Sequence, residues 1–265
     1  MNTHTYARSC ALLALVSAAQ GCAQDGDEFV ALEEVAAESQ AIHHGDNGGE
    51  LVLQNTPERK QQYKHHAKGW LRWAMEIPWS TGPVTDTTGA ACAIGQDDNV
   101  WYLAGTEGGH VDRECTIPAN KKLFFPLRNT WSIPPAEFVD EPSEVDAFVA
   151  FFTDYFPADR EETCALTLRV DGEDVLPNFH ALDHKLWVQI LNPFAIYVNP
   201  TDNWAGYAGG DMPAALLDGH YALLKPLSPG DHTIELGGAQ CFEGEVYFET
   251  SATYTIHVED EDCDD

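Results

Sequence analysis

The sequence predicts a mainly β protein: a β-sandwich or jelly-roll-like body with an N-terminal helix and one inserted helix. Three observations carry this. The C-terminal half alternates apolar and polar residues in short runs separated by turn signals. Only two stretches, around residues 63–77 and 145–155, repeat apolar residues at helical spacing. The 265 residues are 44% hydrophobic, enough for one sizeable core.

The first helix starts at Thr56, a good N-cap, with Pro57 at its first position. Tyr63, Ala67, Trp70, Leu71, Ala74 and Ile77 form its apolar stripe, and Pro78 ends it. Residues 80–95 are rich in turn formers. Residues 99–104 (NVWYLA) read as a buried strand. Residues 122–127 (KLFFPL) read as a second, whose Pro126 marks an edge or a bulge. The inserted helix falls within residues 137–155, with Ser143 as candidate cap and Val145, Phe148, Val149, Phe152 and Tyr155 as its stripe. Residues 165–170 alternate into the turn Asp171-Gly172. Short strands are expected at 186–190, 194–198 and 221–224. The turn Ser228-Pro229-Gly230-Asp231 leads into a strand at 232–236, and residues 246–258 carry the final alternation.

The N-terminus reads as an export signal. Arg8 is a short basic region, residues 11–19 are an apolar run too short to span a bilayer, and small residues follow. Ala19-Gln20-Gly21-Cys22 is similar to a bacterial lipobox, although Ala19 stands where Leu is usual and Gln20 is atypical. Lipidation at Cys22 is the expectation, and ordinary cleavage after Gly21 or Ala23 is its rival. The predicted organisation is a signal peptide at 1–21 and an acidic flexible tether (or propeptide) at 22–55. A single β-sandwich-like domain at 56–258 and an acidic tail at 259–265 complete it.

Lys plus Arg number 14 against 43 Asp plus Glu, a formal net charge of −29. Such a surface repels phosphate backbones, so no nucleic-acid partner is expected. The bland reading of the acidity is solubility outside the cell.

Cys10 leaves with the signal peptide. In an oxidising compartment the remaining cysteines default to disulfides. Cys92 and Cys115 flank a turn-rich segment and form the favoured pair. Cys164 opens a predicted strand and Cys241 precedes the last one, which makes them the second pair. Cys263 is then left over, unless Cys22 escapes lipidation and pairs with it. Structural zinc is disfavoured because no Cys-x-x-Cys occurs.

Three segments carry a family resemblance: CAIGQDDNVWYLAGTEGGHVDRECTIPANKKLFFPL at 92–127, CALTLRVDGEDV at 164–175, and LLDGHYALLKPLSPGDHTIELGG at 216–238. Together they resemble a group of uncharacterised secreted bacterial proteins. That group has a Cys-x-x-Gly-Gln…Trp-x-Leu-Ala-Gly…Arg-x-Cys…Phe-Phe-Pro pattern and a later Asp-Gly-x-Tyr…Leu-x-Pro-Gly-x-His-Thr-Ile pattern. The resemblance implies export and a β architecture, and says nothing about catalysis.

Several constellations can carry chemistry. His110, Asp112 and Arg113, in a Gly-rich loop, put an imidazole, a carboxylate and a guanidinium within four residues and are the candidate acid–base group. The competing reading makes Asp112 and Arg113 structural ion pairs. His180 and His184 have metal-ligand spacing for a helix, but Pro177 upstream and the strand-like residues downstream predict no helix there, and Ala181 stands where a zincin helix carries Glu. Pro229-Gly230-Asp231-His232 is similar to a second cupin motif but lacks the first, and reads better as a turn into a strand. Calcium is a candidate cofactor at Asp97-Asp98-Asn99, at Asp171-Gly172-Glu173-Asp174 or at the acidic tail. No nucleophile elbow, Ser-x-x-Lys or P-loop is present. Trp131, Trp187, Trp204 and Tyr207 fall outside obvious core periodicity. Trp204 and Tyr207 lie in a Gly-rich loop and are the candidate binding residues, as a sugar-stacking platform or a protein-contact patch; rings that merely plug the end of the body are the alternative.

The reading that follows is an exported, lipid-anchored envelope protein. It would be a non-catalytic module binding a glycan, a peptide or an envelope partner through loops at one end of the body, with the membrane as a partner through Cys22. The rivals are a metal-assisted or acid–base hydrolase using the loop histidines and a purely structural envelope protein.

Overall fold

The computed structural model describes residues 48–96, 99–176, 178–204, 206 and 208–260. Cys22, Asp97, Asp98, Tyr207 and Cys263 fall outside them.

Helix α1 (Pro57–Glu76) starts where its cap predicts, the Thr56 hydroxyl accepting the Arg59 N–H at 3.3 Å. Its apolar stripe buries Tyr63, Ala67, Trp70, Leu71 and Ala74. The stripe packs on a four-stranded sheet of β1 (Val100–Tyr102), β3 (Lys122–Ser132), β9 (Leu216–Leu224) and β6 (Trp187–Ile190), in that order. A five-stranded sheet runs β2 (Gly109–Pro118), β11 (Glu245–Glu259), β10 (Gly230–Phe242), β4 (Thr163–Val170) and β5 (Glu173–Asp174). Strands β7 (Ile196–Val198) and β8 (Gly210–Met212) form a separate pair. The β1–β3 and β2–β11 pairs are parallel, and the remaining strand pairs are antiparallel.

The period-2 alternation divides β3 and β9 between two cores. Phe124, Leu217, Tyr221 and Leu223 face α1. Leu123, Phe125, Leu127, Ala222 and Leu224 face the five-stranded sheet, against Leu168, Ile234, Leu236, Tyr254 and Ile256. Each fully buried large side chain contributes about 1.5–3 kcal/mol. The register of β3 against β9 shifts between Pro126 and Arg128, the bulge that Pro126 predicts. Beyond it, β3 crosses close over β10 at Gly238, where an added Cβ would come within 2.8 Å of the Arg128 Cβ.

Three sequence expectations are corrected. Two helices are inserted among the strands, not one: α2 (Pro142–Glu161) and α3 (Phe179–Leu186). The α3 turns form just upstream of β6, so the extended run at 187 does not forbid a helix ending at 186. Helix α2 is capped by Glu141 rather than Ser143, through a capping box with Glu144. It fully buries only Phe156 and Asp159; of its stripe, Val145, Phe148, Val149 and Phe152 are half-buried and Tyr155 is exposed. The ordered body also begins before Thr56. Gly48 bridges to Leu227 and Leu51 to Leu224, and residues 51–54 are buried.

Cys92 is bonded to Cys115, and Cys164 to Cys241. Among the described residues, no helix is long and apolar enough to cross a membrane.

Candidate functional site

Strand alternation decides the fate of the His110 group. His110 and Asp112 point to solvent from β2, with His110 Nε2 3.2 Å from Asp112 Oδ1 and Nδ1 3.0 Å from Ser251 Oγ. Arg113, one residue on, points inward. Its guanidinium donates to the carbonyls of Asp86, Ala104, Gly105 and Val84 and to the Tyr254 hydroxyl. It clamps the loop before β1 rather than pairing with Asp112. The three side chains do not converge.

His180 and His184 lie on one exposed face of α3. Among the described residues no three His, Cys, Asp or Glu side chains gather as a metal set. The Asp171 carboxylate accepts from the Thr233 N–H at 2.9 Å, and Asp174 from the Leu176 N–H at 2.9 Å, so both shape their turn.

His232, Asp171 and Ser228 form a Ser–His–Asp grouping with the wrong proton. Nδ1 is 2.8 Å from Asp171 Oδ2, and Nε2 is 2.8 Å from the Ser228 carbonyl but 3.3 Å from its hydroxyl. A carbonyl only accepts, so Nε2 carries a hydrogen and cannot take the hydroxyl proton. His257 bridges Asp231 at 2.7 Å and Glu114 at 3.0 Å; hydrogen bonds to these two carboxylates, Asp231 first, hold its pKa above the usual value.

A buried polar network lies beneath α2 and α3. Arg128 Nη2 meets Asp159 Oδ2 at 2.5 Å, and Thr130 and Gln240 also donate to Asp159. His220 is 2.6 Å from Asp183. Asp218 accepts from Trp187 Nε1 at 2.9 Å and Gln189 Nε2 at 3.1 Å, and burial pushes its carboxyl up to about 6.

The concave site lies beside this network. It is a cavity of about 530 Å³, within the range of small-molecule pockets. Its walls come from distant segments. The C-terminal end of α1 and the following turn supply Trp70, Met75 and Trp79. The loop at 199–204 supplies Trp204, and hydrogen bonds lock that loop to the end of α1. Asn199 N–H donates to the Met75 carbonyl at 2.9 Å, Trp79 N–H to the Asp202 carbonyl at 3.0 Å, and the Ser80 hydroxyl to the Asp202 carboxylate at 2.6 Å. The β3 residues beyond the bulge supply Arg128, Asn129, Thr130 and Trp131. Tyr155 and Asp159 of α2, the loop at 105–107, and Tyr247, Phe248 and Thr250 of β11 complete it. The rings of Trp131 and Trp204 meet edge to face at 4.5 Å. Trp79, Trp131 and Trp204 are each half-buried.

No family model matches the chain, and neither does any curated protein or solved structure.

Trp204 therefore lies in a wall of the cavity together with Trp131, while Trp187 is turned toward Asp218 with the Arg160 guanidinium 3.9 Å from its ring. Sequence reasoning missed Trp79, Arg128, Tyr155 and Asp159. The available signal was weak: Trp79 sits directly after a helix-ending proline, outside the periodic stripe.

Proposed function

We propose that the protein is an exported envelope module, lipid-anchored at Cys22, that binds a ligand without transforming it, and that the aromatic cavity is its site. In this reading the body is a two-layer β-sandwich with the cavity at one end. One observation carries it: Trp131 and Trp204, on segments far apart in sequence, meet at 4.5 Å in the wall of a cavity of about 530 Å³. Aromatic surface left half-open costs hydration free energy unless something covers it, and binding sites are where such surface is kept. The hydrolase alternative gains no support from geometry: among the described residues the α3 pair His180 and His184 gathers no third ligand, His110 faces solvent from β2, and His232 is held by structural partners.

The test labels the protein with 5-fluorotryptophan, assigns Trp131 and Trp204 by replacing each with Phe, and titrates a library of small neutral and charged fragments. Fragments that bind are expected to shift the Trp131 and Trp204 signals together, and Trp204→Ala should remove the response. If no fragment moves either signal, the cavity is not a binding site. The double variant His110→Ala, Asp112→Ala should leave the responses unchanged.

A further inference from the structure

We propose that the cavity selects an uncharged saccharide, one pyranose face stacked in the corner made by Trp131 and Trp204. This rests on the cavity being a binding site and adds the chemistry of its ligand.

Charge excludes one large class of ligand. Among the described residues Arg128 is the only cationic side chain in the lining, and its charge is offset by Asp159. Its Nη2 is taken by Asp159 Oδ2 at 2.5 Å, and its Nε and Nη1 face the closed interior without a partner among the described residues. Against it the wall carries two carboxylates, Asp159 and the exposed Glu107. The chain adds a net charge of −29. Phosphates, sulfates and uronic acids would therefore enter a negative field whose one guanidinium, among the described residues, is buried and paired with Asp159.

Hydrogen-bonding capacity points the same way. The Asn129 carboxamide donates to the Tyr221 hydroxyl at 3.1 Å, which leaves its oxygen as an acceptor. The Thr130 hydroxyl donates its hydrogen to Asp159 at 2.8 Å and keeps lone pairs. Glu107 brings two more acceptor oxygens at the rim. The indoles of Trp79 and Trp131 bring N–H donors beside these acceptors, and sugar hydroxyls, which both donate and accept, match a lining of this mixed kind. The flat apolar component is supplied by the indoles. The C–H face of a pyranose is planar and apolar, whereas its edge is polar, and an amphipathic aromatic corner matches both.

The experiment titrates the fluorotryptophan-labelled protein with cellotriose, mannotriose and chitotriose as neutral probes, trigalacturonate as an acidic probe, and the fragment library as a control on the site. At least one neutral trisaccharide is expected to shift the Trp131 and Trp204 signals saturably. Trigalacturonate should bind at least tenfold more weakly, and Glu107→Gln should narrow that gap. Trp204→Phe, which keeps a ring, should retain more affinity than Trp204→Ala, which should lose at least tenfold. If fragments shift these signals and no neutral trisaccharide does, the saccharide assignment is wrong while the cavity stands as a site. Equal affinity for trigalacturonate overturns the charge argument. A saccharide shift that survives Trp204→Ala places the sugar elsewhere and overturns the proposal. Silence from fragments and sugars alike removes the site itself.

Discussion

Asp218 is a carboxyl that burial holds back from ionisation. It is fully buried on β9, two indole and amide donors reach one of its oxygens, and the other oxygen has no partner among the described residues. Burial pushes its pKa from 3.8 to about 6. The sign of the linkage follows directly. Between pH 3.8 and about 6 the unfolded chain has released this proton while the folded chain still holds it. The contribution of this group to folding stability therefore falls as pH rises through that window and is flat above it. Asp218→Asn keeps an acceptor for Trp187 and Gln189 and removes the titration. Urea unfolding at pH 4, 5, 6 and 7 should show a stability difference, variant minus wild type, that grows in favour of the variant and levels off near neutrality. A difference independent of pH would mean that Asp218 is not held protonated. Several residues of the motif segments have comparable structural duties. Gln96 donates to the carbonyls of Cys92 and Tyr102 and accepts from the Tyr102 N–H, and Arg113 clamps the strand and loop beside it. These residues explain the fold of the chain rather than its ligand.

At the scale of elements, α2 has the least conventional attachment. Most of its aromatic side chains pack on one another, Phe151 stacked on Tyr155 and Phe148 edge to face with Phe152, instead of being fully buried in a core. Phe156 and the Arg128–Asp159 ion pair hold its C-terminal turns, and that pair also closes one wall of the cavity. Removing one partner leaves a buried charge uncompensated, at a cost of about 3–5 kcal/mol. Asp159→Ala should therefore lower stability by about that much in urea unfolding, and amide exchange in α2 should accelerate more than in β10. Equal acceleration throughout would place the anchor elsewhere. This helix also marks the limit of what the sequence reveals. Its periodicity was legible, and so were α1, the Pro126 bulge, the turn before His232 and the final alternating strand. Which way its stripe faces was not, because a hydrophobic stripe at 3.6-residue spacing looks the same over a core as it does facing outward. The helix at Phe179–Leu186 was obscured for a different reason: eight residues give too few turns for a period to show beside a strand that begins at the next residue. Trp131 and Trp204 stood out because they broke the expected core pattern, but their meeting depends on hydrogen bonds at Asn199 and Asp202 that link segments distant in sequence. The Arg128–Asp159 pair joins a strand to a helix and leaves no local signal at all.

For the whole molecule, the cavity and the entry of the chain lie at opposite ends of β10. Gly48 bridges to Leu227, just before β10 begins at Gly230, whereas Gln240 near its other end lines the cavity. Thirteen residues of strand span about 40 Å. If Cys22 is acylated, the chain from the anchor enters the body at the end of β10 remote from the cavity. Two acyl chains hold a protein at a bilayer far better than one. The expected outcome is cleavage before Cys22, a diacylated N-terminus by intact mass, and recovery in the membrane fraction. Cys22→Ser should move the protein to the soluble fraction without changing the Trp131 and Trp204 signals, and Cys263→Ser should not change its location. Because the chain enters the body remote from the cavity, the membrane-bound and released forms should bind the same probe with affinities within about twofold. A markedly weaker membrane-bound form would mean that the bilayer occludes the cavity and that the body is held the other way round. A wild type already soluble, with an unmodified N-terminus at Cys22 or Gln24, would remove the anchor altogether; where that N-terminus retains Cys22, a disulfide between Cys22 and Cys263 becomes the explanation for the odd cysteine.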